Sequence, residues 1–283
     1  MENKKLPRAY CDSEGNPILR RTVTAFIDVL GYTEHIKESF TNNTGEFELR
    51  RLKEALDRAN GYLRNSALNS IGEMQLNVKV RTFTDNVVIA QTIPDLVEKE
   101  TFWPDACLER VAGYATTFQA FMAQDGYLVR GAITVGDLYI DDDIIFGPAL
   151  IETVEAEKKA VFPRIILCKN TLKYLNCDTS HNRWTHNILQ DTDNELFLDY
   201  LEETVMIAYP DDRPFTEFLT GNRDTIKKNL IKFENNPYIR AKYEWAATYH
   251  NLFCRRHSEL FQDSHNIPAS MITKSPKFWI KKD

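Results

Sequence analysis

Cysteine is scarce in this chain, and the five cysteines among its 283 residues form no CxxC pair. Cysteines this widely spaced favour neither a disulfide framework nor a cysteine-rich zinc site. The six histidines include no HExxH motif, so a histidine metal centre is not favoured either. We therefore expect reduced cysteines that act as small, mostly buried apolar residues.

Long apolar runs are also missing. The longest runs, such as residues 87–90 and 165–168, are far shorter than the roughly 20 residues that span a bilayer. The first residues, MENKKLPR, lack the apolar core of a signal peptide. These features predict a cytoplasmic protein with no membrane partner.

The chain also has no excess of basic residues. The net charge is −6 and the isoelectric point is about 5.6, which argues against a nucleic-acid partner because such binding needs a basic face. A small anionic substrate would then need a metal ion as counter-charge. Hydrophobic residues make up 43% of the chain, which is ordinary for a globular protein that buries a sizeable core.

The periodicity of apolar residues predicts an α+β protein. Alternating or continuous apolar runs indicate strands, and apolar positions at helical spacing indicate amphipathic helices. The predicted strands are 21–29, 74–82, 86–91, 127–140 and 164–168, and the predicted helices are 46–66, 105–123, 148–159, 214–233 and 237–257. We expect another backbone or a ligand to approach Gly131 and Gly136 closely.

The order of these elements is typical of a ferredoxin-like domain, an antiparallel central sheet flanked by helices, with a hairpin expected in the middle of the sheet. We predict a catalytic domain over residues 1–180. A mainly helical C-terminal extension, residues 181–283, would pack on it.

Two aspartates interrupt apolar strands: Asp28 in AFIDVLGYT and Asp85 in RTFTDNVVIA. A buried carboxylate is costly unless it is paired or binds a metal, so each needs a partner. If the first strand lies beside the hairpin, the two carboxylates meet and can hold two divalent cations against a triphosphate. The turn of Gly31, Tyr32 and Thr33 then opens a helix whose N–H groups could reach the phosphates. The alternative is that Asp28 caps this helix and Asp85 occupies a hairpin turn.

In these motifs the chain resembles the class III nucleotide cyclase superfamily, and most of all the bacterial Pycsar pyrimidine cyclases. The resemblance covers about residues 20 to 170. It depends on FIDVLGY, FTDNVVIA, RGAITVGDLY, IFGPALIETVEAE and FPRIIL, and KYEWAATYHN near the C-terminus also looks similar. It implies a class III cyclase fold and a uridylate cyclase that converts UTP to cyclic UMP, a second messenger of antiphage defence. The alternative substrate is CTP.

Residue by residue, the resemblance implies that Asp28 bridges two Mn²⁺ or Mg²⁺ ions, that Val29 offers its backbone carbonyl, and that Asp85 completes the site. Arg81 stands where many purine cyclases place a base-reading lysine, and its other interpretation is a solvent-facing strand charge. The superfamily also implies a head-to-tail homodimer with the site between two subunits.

Two positions depart from the superfamily pattern, because Ile151 and Glu155 stand where purine cyclases have an asparagine and an arginine. Candidates to replace those side chains are Arg130, which we predict to be catalytic, and Lys158, Lys159, Lys242, Tyr249 and Asn251. If nothing replaces them, the chain is a non-catalytic module that senses a nucleotide. A cyclic dinucleotide synthase is less favoured, because TDNV at residues 84–87 is not a GGDEF-like turn.

Overall fold

A computed structural model describes residues 9–69, 78–94, 102–175, 188–202, 215–273 and 279–280. Its strands are β1 (Arg20–Val29), β2 (Val78–Phe83), β3 (Asn86–Thr92), β4 (Val129–Ile140), β5 (Ile145–Phe146), β6 (Ile165–Leu167), β7 (Ile188–Gln190), β8 (Leu196–Leu198) and β9 (Trp279–Ile280). Its helices are α1 (Tyr32–Thr41), α2 (Gly45–Asn69), α3 (Phe102–Gln124), α4 (Pro148–Ala160), α5 (Lys169–Leu172), α6 (Phe215–Lys232) and α7 (Pro237–Arg256).

The predicted α+β class is confirmed, and most element boundaries lie within two or three residues of their predicted positions. The predicted start of the second strand, residues 74–77, lies outside the described residues. Strand β4 begins at Val129 rather than at Tyr127. The short strands β5, β7, β8 and β9 were not predicted, because a run of two or three residues is too short to show a period.

The first half of the chain has the ferredoxin-like strand order. The sheet runs β2-β3-β1-β4-β6-β8-β7-β9, with β5 beside β4. Strands β2 to β3, β3 to β1 and β1 to β4 pair in antiparallel fashion, whereas β4 and β6 are parallel. The expectation that the hairpin lies in the middle of the sheet is wrong. Strand β2 ends the row of described strands, and β1 and β4 are central because β4 also pairs with β6.

Each face of the central sheet is covered by helices. Side chains such as Ile27, Ile89 and Ile133 point to one face and form the main core with α2 and α3. The opposite face carries Phe26 and Val88 and packs against α4. Because successive strand residues alternate between faces, Asp28 lies on the α4 face.

The two glycines of β4 permit close approach, as predicted. A Cβ on Gly131 would lie 2.5 Å from the backbone oxygen of Phe26, and one on Gly136 would lie 3.2 Å from Cβ of Ala149. The first glycine therefore brings β1 and β4 together, and the second lets α4 lie directly on the sheet.

The C-terminal part contributes strands β7, β8 and β9 to the same sheet as well as helices α6 and α7. A second core joins the two parts, because Ala132 and Ile166 belong to the same cluster as Trp245 and Tyr249. The division at residue 180 stays a prediction. Among the described helices, none combines the length and the apolar character needed to cross a membrane.

Candidate functional site

The end of β1 brings together residues from three strands. Asp28 lies opposite Asn86 of β3 on one side and opposite Arg130 of β4 on the other. The next residue, Val29, donates its N–H to the carbonyl oxygen of Asp85, with N and O 3.3 Å apart. The two-residue turn between β2 and β3 therefore packs against the end of β1.

This arrangement places the two predicted metal ligands side by side. The carboxyl group of Asp28 lies next to that of Asp85, close enough for one proton to be shared between them. Burial raises the pKa of Asp28 to about 7, and the neighbouring carboxylates of Glu157 and Asp85 add to the rise, while Arg130 opposes it. Carboxylates that repel each other in a partly buried site are stabilised by a cation.

Glu157 is the member of this cluster that the sequence analysis missed. It lies on α4 and is only 4% exposed. Burial raises its pKa, and Arg130 lowers it. The spacing of residues in the sequence could have identified it. Ala149, Thr153 and Glu157 recur every four residues on the buried face of α4, so Glu157 occupies a core-facing position.

Arg130 links the carboxylates. Its Nη2 lies 3.4 Å from Oδ2 of Asp28, and its Nε forms an ion pair with Oε1 of Glu157. The arginine predicted to be catalytic therefore lies directly beside the aspartate pair, because antiparallel register sets it opposite Asp28.

The turn after β1 begins α1 as predicted. Gly31 has φ of 79°, a left-handed conformation that favours glycine, and it caps the helix. Tyr32 packs against the main core, while Thr33 is exposed. The first N–H groups of α1 have no partner within the helix, and they follow directly after the strand end that carries Asp28.

Arg81 lies on the same face of the sheet but is held elsewhere. Its Nε donates to the carbonyl oxygen of Asp141 at 2.7 Å, and its Nη2 lies 2.9 Å from Oδ1 of Asp142. The side chain is therefore engaged with the acidic turn after β4. Among the described residues, no contact joins it to the Asp28 cluster.

The residues predicted to replace the asparagine and arginine that the resemblance implies at Ile151 and Glu155 separate into three groups. Lys158 and Lys159 are exposed on α4, as are Ile151 and Glu155. Tyr249 and Asn251 are buried and serve packing: the Tyr249 hydroxyl donates to Oδ1 of Asp199 at 2.5 Å, and the Asn251 amide bonds the backbone of Ile267 at 2.8 Å. Arg130 and Lys242 remain near Asp28.

The oxygen atoms at the end of β1 could supply some of the ligands of a hard divalent cation. Two adjacent carboxylates and a nearby backbone carbonyl are oxygen ligands of the kind that Mg²⁺ and Mn²⁺ prefer. Within the described ranges, no group of three or more histidine, cysteine or acidic side chains is arranged to hold a metal ion. Cys11, Cys107, Cys168 and Cys254 are free thiols, as expected, whereas Cys177 lies outside the described residues.

Comparison with known proteins gives no family assignment. No family model and no curated protein match the chain. One similar solved structure is a class III adenylyl cyclase-like ATP-binding protein from Pseudomonas aeruginosa, with 10% sequence identity and a TM-score of 0.44. The match covers 71% of this chain and 44% of that protein, so the chain spans less than half of its length. A likeness this weak carries no argument about function.

The fold and the site together define an α+β protein with a crowded carboxylate cluster at the end of a central strand. Arg130 lies between Asp28 and Glu157 in that cluster, and the ten-residue helix α1 begins shortly after the end of β1.

Proposed function

We propose that this protein is a nucleotidyl cyclase of the class III type, which closes a nucleoside triphosphate into a 3′,5′-cyclic mononucleotide. The observation that carries the proposal is the meeting of Asp28 and Asp85 at the end of β1, with Arg130 at 3.4 Å from Asp28. The ferredoxin-like order β4-β1-β3-β2 supports it, because that order is what brings the hairpin turn to β1.

The proposed cofactors are two Mn²⁺ or Mg²⁺ ions per site. The carboxylates of Asp28 and Asp85 and the carbonyl of Val29 would hold them. Such ions lower the pKa of a bound hydroxyl and neutralise the charge of a leaving pyrophosphate.

In the proposed reaction the ribose 3′-oxygen forms a bond to the α-phosphorus, and the bond from that phosphorus to the bridging oxygen breaks. Pyrophosphate leaves with that oxygen, and the hydroxyl proton passes to water. Arg130 would place its guanidinium against the charge on the phosphoryl group, and the N–H groups at Gly31, Tyr32 and Thr33 would receive phosphate oxygens. Positioning and fixed charges would supply most of the rate.

For the base we propose a pyrimidine, with UTP as substrate and CTP as the alternative. The support is the motif resemblance, and Arg81 remains the proposed base reader on its strand. Because Arg81 is engaged with Asp141 and Asp142, it would have to exchange these partners for the base. The proposed role of the product is that of a cytoplasmic second messenger in antiphage defence.

The test is to incubate the purified protein with each of the four triphosphates and manganese, and to identify products by mass spectrometry. Cyclic UMP as the main product supports the full proposal, whereas cyclic CMP supports the alternative. Asp28→Asn and Asp85→Asn should each abolish product. Activity that survives either substitution, or ATP as the sole substrate, contradicts the proposal.

We also propose a homodimer with the site between two copies. Exposed apolar side chains lie on the hairpin beside the site, on α4 and at the far end of β4, and would be covered by a second copy: Phe83, Ile151, Ile144 and Phe146 are 44%, 62%, 52% and 62% exposed. Light scattering of the purified protein tests this. We expect a dimer that Phe146→Asp weakens, and a monomer at all concentrations contradicts it.

A second candidate function is a non-catalytic module that binds a nucleotide as a sensor. The exposed Ile151 supports it, because this apolar side chain stands where an active cyclase would carry an asparagine. Tight binding of a triphosphate without any cyclic product, with manganese present, would favour the sensor over the cyclase.

A further inference from the structure

A cavity of about 270 Å³ separates the turn after β1 from the first half of α7. Leu30 and Gly31 line it on the side of β1, and Ile239 and Lys242 line it on the side of α7. Since a water molecule takes about 30 Å³ in the liquid, the cavity has room for several waters or for phosphate groups. The C-terminal part of the chain therefore reaches the turn beside Asp28.

Lys242 is the cation in the wall of this cavity. Its side chain is half-buried, and its Nζ lies 4.6 Å from the centre of the Tyr238 ring. In the described part of the chain, no carboxylate lies within ion-pair distance of it. Burial lowers the pKa of Lys242, and so does the nearby charge of Arg130. A partly buried ammonium without a direct anionic partner is costly, so an anionic ligand in this cavity would be bound favourably.

The acidic residues in the wall do not supply that anion. Glu38 is paired with Lys232, whose Nζ lies 2.6 Å from its Oε2. Glu34 is exposed, so water screens its charge. Asp28 and Glu157 act on Lys242 at longer range, and both already contact Arg130.

We infer that α7 belongs to the nucleotide site and that Lys242 binds the polyphosphate of the substrate from the same subunit. The inference rests on the proposed function in that the substrate is taken to be a triphosphate. Arg130 on β4 and Lys242 on α7 would contact the phosphates from two sides, with the helix start at Gly31 between them. The C-terminal extension would then supply a charge that the sheet domain lacks.

The experiment measures binding of inorganic tripolyphosphate with magnesium by calorimetry, so it does not depend on turnover. We compare the wild type with Lys242→Ala, Lys242→Arg and the control Lys228→Ala, which removes an exposed lysine on α6. We expect Lys242→Ala to weaken binding by about 10-fold or more, as loss of a charge-assisted hydrogen bond does. The arginine variant should recover most of the affinity, and the control should bind like the wild type.

With a nucleotide substrate, Lys242→Ala should raise KM by a similar factor and change kcat less, because the lysine binds phosphates that do not react. If no cyclic product forms with any triphosphate, the proposed function fails while the tripolyphosphate result still decides the role of Lys242.

Three results overturn the inference: no tripolyphosphate binding by the wild type, wild-type affinity in Lys242→Ala, or an equal loss in Lys228→Ala. Lys242→Met keeps the apolar stem of the side chain and replaces the alanine variant in the comparison if that variant does not fold.

Discussion

Asp28 shows how one charged residue in an apolar strand can indicate the position of a candidate functional site. It follows the buried Ile27 and precedes the buried Val29, and the sheet holds its carboxylate beside two others. Such a residue reduces stability in the protein without ligand.

The first prediction concerns the charge of Asp28 in metal-free protein. Because its folded pKa is raised to about 7, its stabilising contribution is present at low pH and lost as the pH rises through 7. With a metal chelator present at pH 8, we expect the free energy of unfolding of Asp28→Asn to exceed that of the wild type by roughly 2–4 kcal/mol. At pH 4 we expect the two proteins to have the same free energy of unfolding. Chemical denaturation at both pH values measures this.

The control is Asp137→Asn, since that carboxylate is 53% exposed and 3.9 Å from Arg21. It should change the free energy of unfolding by less than about 0.5 kcal/mol. An Asp28→Asn variant that is less stable than the wild type at pH 8 contradicts the account of the cluster.

The second prediction concerns His250, which is fully buried on α7. Its Nε2 donates to the carbonyl oxygen of His265 at 2.9 Å, and its Nδ1 accepts from the amide of Asn222 at 3.1 Å. Burial lowers its pKa to about 4, so the stability from the neutral ring is present above pH 6.5 and lost as the pH falls toward 4.

We expect the stability advantage of the wild type over His250→Gln to shrink by roughly 3 kcal/mol between pH 7 and pH 4. Denaturant unfolding of both proteins across that range measures it. A difference that stays constant with pH would show that the imidazole is not held neutral.

The residue that follows α4 has a backbone conformation that is rare for a β-branched side chain. Val161, which follows it, has φ of 52° and ψ of −52°, and the N–H of Phe162 donates to the carbonyl of Ala160 across it. This is the rare, strained form of the γ-turn, and it is costly for a β-branched residue. The turn directs the chain from α4 into β6, which lies beside β4.

The third prediction follows from this strain. Val161→Gly should stabilise the protein by about 1 kcal/mol, because glycine adopts a positive φ without steric cost and Val161 is already 41% exposed. The matched control is Ile151→Gly, an exposed position inside α4, which should destabilise by about 1 kcal/mol. Equal destabilisation by both substitutions, measured by denaturant unfolding, would contradict the strain.

At the level of the whole molecule, a buried ion pair joins the N-terminal and C-terminal parts. Arg164 is fully buried before β6, and its guanidinium contacts Asp191 and Asp193 before β8. Asp191 also accepts a hydrogen bond from Nε1 of Trp245 on α7 at 2.7 Å. This buried ion pair is therefore one of the contacts that join the sheet to the C-terminal helices.

The fourth prediction is that Asp191→Ala destabilises the protein by roughly 3–5 kcal/mol, since it leaves a buried guanidinium without its buried partner. The control is Asp193→Ala, which removes the other partner of the same arginine. Its side chain is 45% exposed, so we expect a loss of about 1 kcal/mol or less. Thermal and denaturant unfolding measure both, and similar losses in the two variants would contradict the prediction.

The amino-acid pattern was sufficient for the elements and for part of the site. Periodicity predicts β1, the hairpin and the long helices because burial on one face imposes a period of two or of 3.6 residues. It also singles out Asp28 and Asp85, because a carboxylate inside an apolar run is unusual whatever surrounds it.

Tertiary structure alone decided which side chains meet. Glu157 and Lys242 lie 129 and 214 positions beyond Asp28 in the chain, and no local pattern relates them to it. Arg81 and Arg130 look alike as strand arginines, yet pairing of β1 with β4 places Arg130 at the cluster while the turn after β4 engages Arg81. Local sequence sets the period of each element, whereas strand register and helix packing bring distant charges within reach of one another.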